Sequence, residues 1–197
     1  MIVVFSNRWL IYVVVFAAAA CNPLLAQFPV PSKSQLEDTT PSQVREVVAN
    51  YCRLDYEGAR LDAQQWSKFK PLVWWSSAPQ YSQIDVIARY IVDREPAATG
   101  DKYTVSVHYR LLGVYDMANG YVPEPAGSMQ NLDFGVSSQN SEWRIADADN
   151  NFPHPSRAAM LNWLKAQLAS AQDDTAKQRY QRALTLIEAQ PASPFAK

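Results

Sequence analysis

VVANYCRLDYEGARL, residues 47–61, reads as the end of an amphipathic helix in which an aspartate stands where the next apolar residue belongs. Val44, Val47, Val48, Tyr51, Cys52 and Asp55 follow the i, i+3, i+4, i+7, i+8, i+11 spacing of one buried helical face, and Gly58 is a natural stop. An isolated ionised carboxylate in a core costs several kcal/mol or neutralises, so something must satisfy Asp55. Three readings stay open. Asp55 is anchored by a tyrosine hydroxyl, an indole N–H or backbone N–H groups near Gly58; or it is a pocket acid that binds or deprotonates a ligand; or it is simply exposed.

Before this stretch, Thr40 or Ser42 caps the helix, with Pro41 in the first turn where a missing N–H costs least. After it, a shorter helical piece runs from Asp62 with Trp66, Phe69 and Leu72 inward, until Pro71 disturbs it. From Ile84 the period changes to two. Val86, Ala88, Tyr90 and Val92 share one face of a strand, and after the turn ATGD, Tyr103, Val105, Val107, Tyr109 and Leu111 share one face of the next. The Gly- and Pro-rich loop MANGYVPEPAGS precedes QNLDFGVSS and EWRIADAD, which pair about a turn near Gln139 and Asn140. Four antiparallel strands are therefore expected.

The face opposite the apolar stripe carries Arg89, Thr104, Ser106, His108, Arg110, Asp133, Ser137 and Arg144, interrupted by Ile87, Ile91 and Leu112. Such a mixed face is either solvated or the interface of a homodimer. Pro155 then starts a helix with Met160, Leu161, Leu164 and Leu168 on one side, and DDT at 173–175 begins another carrying Tyr180, Ala183, Leu184 and Ile187. The chain ends as a helical hairpin.

The N-terminus differs in kind. In MIVVFSNRWLIYVVVFAAAACNPLLAQ, Arg8 precedes an uncharged apolar run from Trp9 to Ala20, the order of a secretory signal peptide and short for a spanning anchor. Cleavage after Ala26 competes with lipidation of Cys21, which AAAC weakly suggests, and with an uncleaved anchor. An exported protein, periplasmic or secreted, is expected, with membrane contact only through this segment or a lipidated Cys21. Cys21 and Cys52 are the only cysteines, so the mature domain forms no internal disulfide, and Cys52 reads as a small buried hydrophobe. The expected organisation is signal peptide 1–26, flexible linker 27–41, α+β domain 42–150, helical extension 151–190 and disordered tail 191–197.

With 48% hydrophobic and 19% charged residues, the 197-residue chain can build one core. Its 18 Lys and Arg balance 19 Asp and Glu without a basic run, which argues against nucleic acid. Two widely spaced histidines give no zinc constellation, and Asp147 and Asp149 lack calcium-loop spacing, so no metal or cofactor is expected.

YCRLDYEGARL followed by Trp66 and Phe69, and the ending WRIADADNNFPHPSRAAMLNWL, resemble the nuclear transport factor 2-like superfamily, which includes SnoaL-like cyclases and ketosteroid isomerases. The resemblance covers roughly residues 42–150. It implies a cone, in which a curved antiparallel sheet wraps around the N-terminal helices and leaves a pocket at its wide end. The last turns of the first helix face that cavity, so Asp55 would be its floor. Isomerase-like members use a tyrosine and a protonated acid converging with an aspartate base, and dehydratase-like members a His and Asp pair, whereas His108 falls on the other face of its strand here and His154 reads as a helix-start loop residue.

The expected function is an exported small-ligand-binding or assembly module without a complete catalytic motif. A small apolar ligand would be lined by Tyr51, Asp55, Trp74, Tyr90 and Tyr109. The alternatives are an isomerase- or dehydratase-like enzyme with Asp55 as general base, and a structural homodimer built on the mixed sheet face.

Overall fold

The computed structural model describes residues 33–149 and 152–190, with side chains from residue 40 onward; the expected signal peptide and the tail 191–197 lie outside these residues. The fold is α+β. Helix α1 (Lys33–Tyr56) leads through three short 3-10 segments, Ala59–Leu61, Ala63–Lys68 and Lys70–Leu72, into the sheet. The sheet comprises β1 (Gln83–Val92), β2 (Ala97–Thr99), β3 (Lys102–Asp116), β4 (Gly120–Pro123), β5 (Met129–Gln139) and β6 (Glu142–Ala148). Helices α2 (Arg157–Ser170) and α3 (Asp174–Ala189) close the chain. The strands run antiparallel in the order β1-β3-β5-β6, with β2 paired to the start of β3 and β4 to its end.

Several local signals act as expected. Asn140 and Ser141 take positive φ (52° and 65°) between Gln139 and Glu142, the left-handed pair that a tight antiparallel turn needs. Ser156 caps α2 by accepting from Ala159 N–H, and Asp173 caps α3 by accepting from Ala176 N–H. Gly58 ends α1 at φ 87°, and a Cβ there would come within 2.9 Å of Ala159 Cβ on α2. Elsewhere the structure departs from the periodicity. α1 begins at Lys33, taking in part of the stretch read as a linker, with Pro41 inside it; Gln35, Leu36 and Glu37 are good helix formers, and Pro41 removes one N–H donor. The piece after Asp62 is 3-10 rather than α, capped by Asp62 through Gln64 N–H. Two short strands, β2 and β4, join the four expected.

β1 is where the alternation fails. Its register against β3 shifts between Val86 and Ile87 and again between Ile87 and Arg89. The first shift has its extra residue on β3, at Leu112, and the second on β1, at Ala88, and a bulge lets consecutive residues of the strand that carries it keep the same side. Ile87 therefore joins Val92, Val105, Val107 and Tyr109 in the cluster under α1, rather than the mixed face where its position in the strand puts it. Ile84 and Val86 instead join Tyr115, Tyr121, Met160, Leu164, Ala183, Leu184 and Ile187 in a second cluster under the α2–α3 hairpin. The extra residue of the first shift lies on β3, where Leu112 separates Leu111 from Gly113, so Val86 and Ile87 still point to opposite faces of β1 and the two clusters lie on the two sides of the sheet. The hairpin thus covers one end of the mixed face, while Ile91 and Met129 remain exposed.

Candidate functional site

Asp55 is 1% exposed, and its hydrogen-bond donor comes from far along the chain: His154 N–H donates to Oδ2 at 3.0 Å. Two cationic or cation-capable side chains stand beside the same oxygen, Arg60 Nη1 at 3.7 Å and His154 Nδ1 at 3.4 Å. Oδ1 is buried and accepts no hydrogen bond. Gly58 makes this geometry. By reversing the chain at the end of α1 it brings Arg60 back beside Asp55, where Arg60 Nη1 donates to Phe152 C=O at 2.9 Å.

His154 reaches the site because residues 152–156 lie alongside β1. Asp85 N–H donates to Pro153 C=O, Ile87 N–H to Pro155 C=O, and Ser156 N–H to Tyr56 C=O. The prolines on either side lack N–H groups, which leaves His154 N–H as the donor free to turn toward α1. The imidazole stacks on Tyr109, ring centroids 4.2 Å apart. Its Nε2 is 3.1 Å from Gln130 Oε1 and 3.6 Å from Asp85 Oδ2. Asp85, also buried, accepts from Gln83 Nε2 at 2.6 Å and from Gln130 Nε2 at 3.1 Å. The result is a continuous polar chain, buried at Arg60, Asp55, His154 and Asp85 and half-buried at Gln130 and Gln83.

Aromatic and thiol groups enclose it. Tyr51 meets Phe69, Phe134 and Trp75 edge-on. Cys52 Sγ and Tyr109 Oη share a hydrogen bond of 3.2 Å. Burial pushes the Cys52 thiol up to about 12; the bond to Tyr109 pulls it back a little and the nearby Asp55 charge raises it further. Burial likewise lifts Tyr109 and Tyr51 well above the usual phenol range, with Arg60 opposing the rise at Tyr51. These groups stay protonated at neutral pH, so neither the thiol nor the two phenols are nucleophiles.

Of the five residues expected to line a pocket, four gather. Tyr51 and Asp55 share one face of α1, Tyr109 covers His154, and Tyr90 packs 6.3 Å from Tyr109. Trp74 does not join them: its indole N–H donates to Ser137 C=O, and Arg144 lies over its ring at 4.5 Å. The neighbouring Trp75 turns to Tyr51 instead. His154, Arg60, Asp85 and Gln130 escaped the sequence reading. Only the FPHP spacing hinted at them, since its flanking prolines restrict the chain around His154.

A cleft adjoins this cluster. Its volume is about 330 Å3, and its walls are Ala59–Ala63, Trp66, Ala78–Tyr81 and Met117. Arg60 belongs to both, forming part of the cleft wall while its guanidinium reaches Asp55. Tyr81 sits at the same wall, its hydroxyl 3.5 Å from Arg60 C=O and raised above the usual phenol value by burial. Two other cavities lie elsewhere, one by Leu111, Leu112 and Gln190 and one by Trp75, Ser77 and Asp147. None of the three is lined by Tyr51, Asp55, Trp74, Tyr90 or Tyr109. Compared with known proteins, the chain matches no family model, no curated protein and no solved structure.

Proposed function

We propose that this protein is a small-ligand-binding module of the nuclear transport factor 2-like kind, with its ligand seated in the cleft beside Arg60 and the Asp55 cluster behind it. The observation that carries the reading is the Asp55 carboxylate: 1% exposed, with one oxygen that accepts no hydrogen bond, one side chain removed from a cleft of about 330 Å3. An unsatisfied buried acceptor costs free energy that a purely structural site would avoid, and a cleft of this size with few polar groups suits a small molecule. The test is a thermal-shift screen of lipids, steroids and aromatic compounds, with mass spectrometry of the purified protein for a co-purifying molecule. A ligand that raises Tm in the wild type and much less in Trp66→Ala supports the cleft, since occupancy stabilises by mass action. No shift across the screen together with no co-purifying molecule removes the reading.

A second reading is favoured by one contact. Asp55 Oδ2 and His154 Nδ1 stand 3.4 Å apart, close to the arrangement in which a carboxylate acts as general base with an imidazole partner. It supports an isomerase- or dehydratase-like activity. Any ligand from the screen that carries an acidic C–H would then exchange that proton with solvent, followed by NMR in heavy water, and the exchange would vanish in Asp55→Asn. Exchange equal in both proteins removes this reading.

A further inference from the structure

We infer that the cleft selects an amine on a flat apolar body and discriminates against carboxylates. This inference rests on the cleft being the ligand site. The walls supply Ala59, Leu61, Ala63, Pro79 and Met117 as apolar surface, with Trp66 and Tyr81 as aromatic surface. What distinguishes the cleft is its charge balance. Asp62 belongs to its wall, and Asp55, buried behind Arg60 and outside the lining, offsets that guanidinium, which leaves the Asp62 carboxylate as the charge facing the cleft.

That guanidinium is already committed. Arg60 Nη1 donates to Phe152 C=O and neighbours Asp55 Oδ2, and the Arg60 side chain passes over the Tyr51 ring at 6.0 Å. It has little to offer an incoming anion. The acceptors are less engaged. Asp62 is exposed, its carboxylate taking one N–H from Gln64 and one from Gln65 Nε2 at 3.3 Å, and Asp55 Oδ1 takes none. A carboxylate has four lone-pair sites, so capacity for a donor remains at Asp62, the one of the two that stands on the cleft wall. An ammonium meets this surplus with charge-assisted hydrogen bonds and with aromatic faces that attract cations. A carboxylate ligand would meet like charge at Asp62. The donors left for it are the Gln80 amide and the Tyr81 hydroxyl, and Tyr81 is turned toward Arg60 C=O.

The experiment uses three probes with one ring system: tryptamine, 3-ethylindole and indole-3-propionate, titrated into the full chain by calorimetry at neutral pH. The expected order is tryptamine tightest, by about tenfold over 3-ethylindole, with indole-3-propionate weakest. Asp62→Asn keeps the helix cap, because asparagine caps as well as aspartate. It should erase most of the tryptamine preference and leave 3-ethylindole unchanged. If 3-ethylindole or indole-3-propionate binds as tightly as tryptamine, or if the preference survives in Asp62→Asn, the amine inference is overturned while the cleft remains a ligand site. If none of the three binds, the amine inference is overturned, and the binding-module reading then stands or falls on the broader screen and the search for a co-purifying molecule.

Discussion

At the residue scale, Asp55 and His154 stand at the centre of the polar chain, both buried and joined through His154 N–H. Asp55→Asn preserves shape but removes the charge that faces Arg60, which is then left buried without its counter-ion. Removing one partner of a buried pair leaves the other uncompensated, so a loss of about 3 kcal/mol is expected from urea unfolding. A change below about 1 kcal/mol would mean that the Phe152 carbonyl alone satisfies Arg60. His108 offers a test with the opposite exposure. Its side chain is 35% exposed; the hydrogen bond to Asn131 raises it above its ordinary value of 6.5, burial opposes this, and Asp93 adds to the rise. Because the folded value exceeds the unfolded one, His108 stabilises fully below the unfolded value, and that contribution fades as pH climbs through the folded value. His108→Gln should therefore flatten the fall in stability as pH rises above 6.5, and parallel curves for the two proteins would contradict this. Much of this scale was legible in the sequence. The buried face of α1 and the inert Cys52 follow from spacing alone. The partner of Asp55 does not, because its donor lies 99 residues away and the pairing exists only once residues 152–156 lie beside β1.

At the scale of elements, the sequence signals worked wherever chemistry is local and failed wherever the sheet imposed its own register. The caps of α2 and α3 and the Asn140 turn are written in a few adjacent residues. The bulges of β1 are not, since they arise from fitting β1 to β3 while two different layers press on the two sides of the sheet. Period-two reading therefore assigned Ile87 to the wrong side. The C-terminal helices, expected as a helical extension, contribute Met160, Leu164, Ala183, Leu184 and Ile187 to a second core. Ile187 shows what that core is worth. It is fully buried against a cluster that includes Ile84, Val86 and Tyr115. Ile187→Ala removes buried methyl and methylene groups and leaves a cavity, an expected cost of about 3 kcal/mol. An effect within about 0.5 kcal/mol, the range of surface substitutions, would show that α3 packs only loosely on the sheet.

At the scale of the molecule, the question is whether two cores on opposite faces of one sheet behave as one. Three features tie them together. β1 contributes Ile84 and Val86 to one core and Ile87 and Val92 to the other, so neither forms without the same strand. Residues 152–156 hydrogen-bond to Asp55, Arg60, Asp85, Ile87 and Tyr56 before capping α2 at Ser156. The end of α1 also abuts α2 through Gly58 and Ala159. A domain of this size with shared strands is expected to unfold in one step. Tryptophans report from both sides: Trp163 packs against Tyr115 and Tyr180 in the hairpin core, and Trp66 stacks on Phe69 under α1. Urea unfolding followed by tryptophan fluorescence in Trp163→Phe, and in a variant that keeps Trp163 with the other five tryptophans changed to Phe, each with far-ultraviolet circular dichroism, should give coincident transitions within each protein. Adding Ile187→Ala or Asp55→Asn to either background should then move both signals together, with the slope unchanged. Separate transitions, with Ile187→Ala shifting only the Trp163 signal, would make the hairpin an independent unit. The contacts of residues 152–156 would in that case stabilise the Asp55 cluster without coupling it to the helices beyond.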